Sequence, residues 1–148
     1  MPPIPGSGEI SFGTLNSALG RGDSETSLAS ASLGYYETIN TASISRPNTT
    51  APYSISEWYG YNSTAIATTA IEISDESARK AVDACAFSIV ATPVYHNGDT
   101  DFPDIGNFIF TDAEGVNTFN GGENYWKITG NMTIQINSSG EVLNKADC

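Results

Sequence analysis

Few side chains in this 148-residue chain could do covalent chemistry: a single histidine, His96, and two cysteines, Cys85 and Cys148. A Cys85–His96 pair would supply a thiolate and its base. Neither residue stands in a local signature of such enzymes, and His96 precedes Asn97 and Gly98, a turn-forming pair. His96 is therefore expected at a partly exposed turn. Two thiols are too few for a zinc site unless His96 and a carboxylate join them, and there is no C-x-x-C spacing. They are either two buried free thiols or a clasp tying the tail to the start of the second half, which by loop entropy would contribute roughly 4 kcal/mol. Asn97, Asp99 and Asp101 alternate as at the start of a calcium loop, but the glycine and the distal bidentate glutamate of that loop are missing. Arg21-Gly22-Asp23 reads as a polar loop, and "NGGEN" lacks the lysine and helix of a phosphate-binding loop. No catalytic residue, metal or cofactor is expected, and the chain reads as non-enzymatic.

Composition narrows the partners. Six Lys+Arg face 17 Asp+Glu, for a formal net charge of −11. That balance opposes nucleic acid, whose phosphates require basic side chains, and equally an anionic membrane surface. No stretch approaches the length of an apolar membrane span. With 39% hydrophobic and 10% aromatic residues, the chain can build cores. The start, "MPPIPGSGEISF", has neither a basic opening nor an apolar run of signal length. Together with the retained Met1, it gives the expectation of synthesis in a cytoplasm without trimming.

The elements that must position these residues fall into two halves. Over residues 1–62, Pro2, Pro3 and Pro5 imply an extended leader. Ser11 can cap a short helix carrying Phe12, Leu15 and Leu19, with Ile10 as a staple and Gly20 as the stop. "TSLASASLGYYETI" offers a second helix through Leu28, Leu33 and Tyr36. "YSISEWYGYN" repeats the device: Tyr53 before the cap Ser54, Glu57 at capping-box spacing, Trp58 and Tyr59, then Gly60. Helices this short are unstable alone. Their aromatic faces must pack on one another and on the second half, or dock on a larger body through Phe12, Leu15, Leu19, Trp58, Tyr59 and Tyr61.

Residues 63–148 read as a small antiparallel β module with one leading helix. "STAIATTAIEIS" alternates like a strand or extended linker. "SDESARKAVDACA" reads as a helix capped by Ser74. Five short strands follow in "AFSIVATPVYH", "NFIFTD", "NYWKIT", "MTIQIN" and "EVLNK", separated by Gly- and Asn-rich turns. The fold class is mainly β with short helices.

The two repeated phrases carry a resemblance. "SGEISFGTLNSALG" and "PYSISEWYGYN", in that order, resemble a region of tailed-bacteriophage virion proteins of the head–tail, collar, fibre or baseplate kind. The match runs through Ile10, Ser11, Phe12, Leu15, Asn16, Leu19 and Gly20, then through Ser54 to Tyr61. The second half resembles a short β module found at the end of surface and phage structural proteins. The matching positions are Cys85, Tyr95, His96, Gly98, Pro103, Gly106, Asn107, Phe110, Tyr125, Lys127, Ile134, Ile136, Gly140, Val142 and Cys148.

The resemblance implies placement in a virion rather than a reaction. It implies a protein made in the host cytoplasm that docks on capsid, collar or tail proteins through its N-terminal segment. The acidic β module would then be displayed as a decoration, short fibre, collar or tail component. Appendages of this kind are commonly trimeric, so a homo-oligomer is expected, and Cys85 and Cys148 could close after release from the cell. The competing reading is a host receptor- or glycan-binding adhesion module, with Tyr95, Phe102, Tyr125 and Trp126 as its contact face. Aromatic residues of this kind also serve as core.

Overall fold

In the computed structural model of the chain, which describes residues 3–148, Ser11 takes the capping role its position predicts. Its hydroxyl accepts from the Thr14 amide at 3.2 Å, the Thr14 hydroxyl takes the Ser11 amide, and α1 runs over Phe12–Ala18. Ser27 caps α2, Leu28–Ser32, in the same way. The third phrase folds more tightly than the spacing predicts. A 3-10 turn covers Ile55–Trp58, and it brings the Ser56 amide rather than that of Glu57 to the Ser54 hydroxyl. The capping box expected from Ser54 and Glu57 does not form, and one Glu57 oxygen instead accepts from Asn48 Nδ2 at 2.9 Å.

These pieces belong to one of two compact units, Met1–Ala65, whose own core gathers Ile4, Leu15, Ala18, Leu19, Ala31, Trp58 and Tyr61. Trp58 meets Tyr61 edge-to-face with ring centroids 5.1 Å apart. The Tyr61 hydroxyl accepts the Asn40 amide at 2.9 Å, and Asn40 Nδ2 reaches the carbonyls of Asn62, Ser63 and Ala65. The leader forms neither helix nor strand and bends through residues 6–8; of its three prolines, Pro2 lies outside the described residues. It is pinned to the same phrase, with the Ile4 amide donating to the Tyr61 carbonyl at 2.8 Å and the Gly60 amide to that of Pro5 at 3.0 Å. Gly60 is needed there twice over: its φ is +75°, and a Cβ would sit 2.9 Å from Ser45 Oγ.

The second unit, Ile66–Cys148, is a six-stranded antiparallel sheet in the order β3-β2-β1-β4-β5-β6. The strands are β1 Thr69–Ala78, β2 Ile89–His96, β3 Ile109–Phe110, β4 Asn124–Ile128, β5 Met132–Ile136 and β6 Val142–Asp147. The two outer strands are joined: Phe108 bridges Glu141, and the Ile109 and Val142 amides donate to Gly140 and Asn107 carbonyls, each at 2.8 Å. The sheet thus closes on itself at this end, while β6 beyond Val142 is paired on one side only. Its interior holds Ile71, Ile73, Val94, Ile109, Ile128, Ile134, Ile136 and Val142. The β4–β5 hairpin turns through Thr129, Gly130 and Asn131, the last two at positive φ (90° and 58°), a region that Gly and Asn enter at least cost.

A second expectation is overturned. Residues 74–86 do not form a helix capped by Ser74, because β1 continues to Ala78 and α3 is a single turn, Ala81–Ala84. Ser74 has a different task. Both ladders of β1 are interrupted around this residue, the register jumping between Glu72 and Ser74 against β2 and between Ile73 and Ser77 against β4. The buried Ser74 hydroxyl fills the gap, accepting from the Lys127 amide at 3.1 Å and donating to the Glu76 carbonyl at 2.7 Å. Pairing of Ser74 with Ile89 of β2 and of Ser77 and Ala78 with β4 outweighs the local helix signals, since each ladder bond satisfies a main-chain group that a lone turn of helix leaves open.

Candidate functional site

The residues expected to dock the N-terminal unit are mostly spoken for. Leu15, Leu19, Trp58 and Tyr61 are buried in that unit's own core, so no partner reaches them while it is folded. Tyr59 is half-buried and its hydroxyl donates to the Gly8 carbonyl. Only Phe12 stands out, 48% exposed, at one side of a 560 Å³ cleft with Asn16, Ser24, Thr26 and Tyr36. The polar groups of that cleft bind one another. Asn16 bonds to Ser24 and Thr26, and the Tyr36 hydroxyl accepts the Ser27 amide at 3.0 Å. Arg21 lies 3.7 Å over the Tyr36 ring and donates to Thr26 and to the Glu25 carbonyl, so the Arg-Gly-Asp tripeptide is a structural loop.

The four aromatic residues expected to share a contact face in the second unit do not share one. Trp126 and Phe102 pack against the interior of the closed sheet. Tyr125 and Tyr95 alternate with the inward residues Trp126, Val94 and His96 along their strands, which turns them to the outer face. The Tyr125 hydroxyl there accepts from Asn144 Nδ2 at 3.1 Å. On the same outer side Lys127 Nζ donates to the Cys85 carbonyl at the end of α3. Cys85 itself is bonded to Cys148.

His96 is fully buried rather than at an open turn. Its Nδ1 accepts the Gly98 amide at 3.1 Å, so the neutral ring carries its proton on Nε2, which finds no partner in hydrogen-bond geometry. Burial pushes the imidazole below its ordinary value of 6.5, outweighing the Asp101 main chain and the Asp104 carboxylate, which favour the charged form, while Lys145 opposes it. The consequence for stability has a definite sign. Below pH 6.5 the unfolded chain takes up a proton that the folded chain refuses, so this group's contribution is complete above 6.5 and lost as pH falls. The slope is expected to reach up to about 1.4 kcal/mol per pH unit. With no second histidine in the chain, denaturation midpoints of the wild type and His96→Leu between pH 7 and about 5 isolate the effect. Parallel pH profiles for the two proteins would refute it.

A feature invisible in the sequence lies where β1 and β2 part. Between Glu72 and Ser74 the partner register jumps from Pro93 to Ile89, which loops out residues 90–92. The opening is a cavity of 320 Å³ walled by Ile73, Pro93, Val94, Phe119 and Trp126, with Asp75 and Thr92 also in its lining. Phe119 and Trp126 stand at 83° to one another with centroids 5.0 Å apart. Trp126 Nε1 is fixed on the Gly121 carbonyl at 3.0 Å. The loop carrying Phe119 is held by Asp112, whose carboxylate accepts the amides of Glu114, Val116 and Asn117. Among the described residues no group of three or more His, Cys, Asp or Glu side chains could hold a metal, and no helix is long and apolar enough to cross a membrane. Comparison of the chain with protein-family models, curated proteins and solved structures finds no significant match in any of the three.

Proposed function

We propose that the chain is a non-enzymatic component of a bacteriophage virion, mounted through its N-terminal unit and displaying the acidic closed sheet. The observation that carries this reading is the division into two units with separate cores and unequal charge. Five acidic and two basic side chains (net −3) fall in residues 1–65, against twelve and four (net −8) in residues 66–148. The less charged unit suits burial against other proteins, and the more strongly charged, disulfide-bonded unit suits exposure to solvent. The resemblance of "ISFGTLNSALG" and "SISEWYGY" to virion proteins supplies the kind of particle.

Burial of the phrase aromatics moves the docking surface. It now rests on Phe12 together with Leu33, Tyr35 and Ile44, the exposed large apolar side chains of the same unit. Purified chain mixed with disassembled particle components is expected to pull down one capsid, collar or tail protein. Phe12→Ser with Tyr35→Ser should cut that capture about tenfold or more without unfolding the unit. Failure of the intact chain to bind any particle component would sink the proposal, and full capture by the double variant would place the docking surface elsewhere.

A further inference from the structure

We propose that the C-terminal unit binds an alkylated ammonium cation in the 320 Å³ cavity between β1, β2 and the loop carrying Phe119. The site is independent of where the chain is mounted. Two perpendicular aromatic rings form one corner of it. Because their centroids are only 5.0 Å apart, a cation seated in that corner lies within about 6 Å of both ring centres, the range of cation–π attraction. Asp75, at the same opening, is exposed, and its carboxylate makes no hydrogen bond or ion pair with any described residue. The unit's net charge of −8 adds a field of the same sign.

Other ligand classes fit this lining less well. A sugar needs several free hydrogen-bonding groups beside its aromatic platform. Here the Trp126 N–H is taken by Gly121, the Ser74 hydroxyl by Lys127 and Glu76 and the Thr111 hydroxyl by Asn117, which leaves Thr92 and Asp75 as the open polar side chains of the lining. An anionic ligand would meet the acidic field. A purely apolar ligand would leave the Asp75 carboxylate beside it without a counter-charge. A methylated ammonium group satisfies both halves of the site, since its methyl groups cover the apolar wall of Ile73, Pro93 and Val94 while its charge faces the rings and Asp75.

The test uses the intact chain and follows the Trp126 indole N–H signal by NMR during titration with choline. Trp58 is fully buried in the other unit and serves as the internal control. A saturable shift of the Trp126 signal alone is expected. The neutral carbon isostere 3,3-dimethylbutan-1-ol should bind about tenfold or more weakly, since it keeps the shape and loses the charge. Phosphocholine should also bind more weakly than choline, because its phosphate meets the acidic surface, which separates a free or peptide-borne ammonium from a lipid headgroup. Trp126 packs on the core and its removal could unfold the unit, so the variant of choice is the exposed Asp75→Asn, expected to weaken choline about threefold and to flatten the salt dependence. Three results would each overturn the proposal: no saturable shift with choline, equal binding of the neutral isostere or a neutral sugar, or tighter binding of phosphocholine than of choline.

Discussion

A chain carrying Trp58→Ala is expected to lose the fold of its N-terminal unit while the C-terminal sheet stays intact. Trp58 has no exposed surface, packs edge-to-face on Tyr61, and sits among Leu15, Leu19 and Ala31 in the core of that unit. Replacing a buried Trp by Ala typically costs about 3–5 kcal/mol. A unit of this size commands roughly 3–10 kcal/mol in all, so the loss takes most or all of its stability. The leader would go with it, because Ile4 and Pro5 are held by main-chain bonds to Tyr61 and Gly60 beside the lost ring. Trp58→Phe should cost less than half as much, since it keeps a ring against Tyr61 and removes an indole N–H that has no acceptor. Amide spectra of the variants check this directly, with Trp126 as the remaining tryptophan reporting on the sheet. A Trp58→Ala protein whose N-terminal unit melts at the wild-type midpoint would make Trp58 a contact residue rather than core.

That result also answers why the chain uses one phrase twice. Each copy presents a capped turn whose apolar side chains enter the same core, Leu15 and Leu19 from the first and Trp58 and Tyr61 from the second. The caps at Ser11 and Ser54 were legible because a cap is a local device. The reach of Glu57 was not, because it depends on the turn being 3-10, a choice made by the packing of Trp58. The same divide runs through the second unit. Strands β2 to β6 could be read from alternation and turn residues. The extension of β1 through 74–78 could not, since it is fixed by two partner strands distant in sequence. Tyr125 and Trp126 carry a legible signal: adjacent residues of one strand face opposite ways, so they cannot form one contact face. His96 carries the same lesson, two residues from the inward Val94. The cavity beside Trp126 left no trace in the pattern, because it arises from a register jump, and registers belong to pairs of strands.

Loss of the disulfide is expected to have the second large effect, confined to the C-terminal unit. Cys85 ends α3 and Cys148 ends the chain; their Cα atoms are 5.5 Å apart across a sequence separation of 63. Opening a loop of that length returns about 4 kcal/mol of entropy to the unfolded chain, set against the roughly 4–12 kcal/mol available to a unit of this size. The cost falls first on β6. Its residues from Val142 onward pair with β5 on one side, and beyond Val142 the tail is otherwise held by two exposed side-chain contacts, Asn144 to Tyr125 and Lys145 to Asp104, by the Cys148 amide on the Asn131 carbonyl and by the bond to Cys85. Cys148→Ser should therefore lower the denaturation midpoint of the sheet and release the amides of residues 143–147 to hydrogen exchange before those of Ile134 and Ile136. Reductant added to the wild type should reproduce both changes and leave the N-terminal unit, which contains no cysteine, at its own midpoint. If oxidised and reduced chains unfolded together, the closed sheet would be self-sufficient. The link between Cys85 and Cys148 would then bear on something other than stability, with the α3 end that receives Lys127 Nζ as the first place to look.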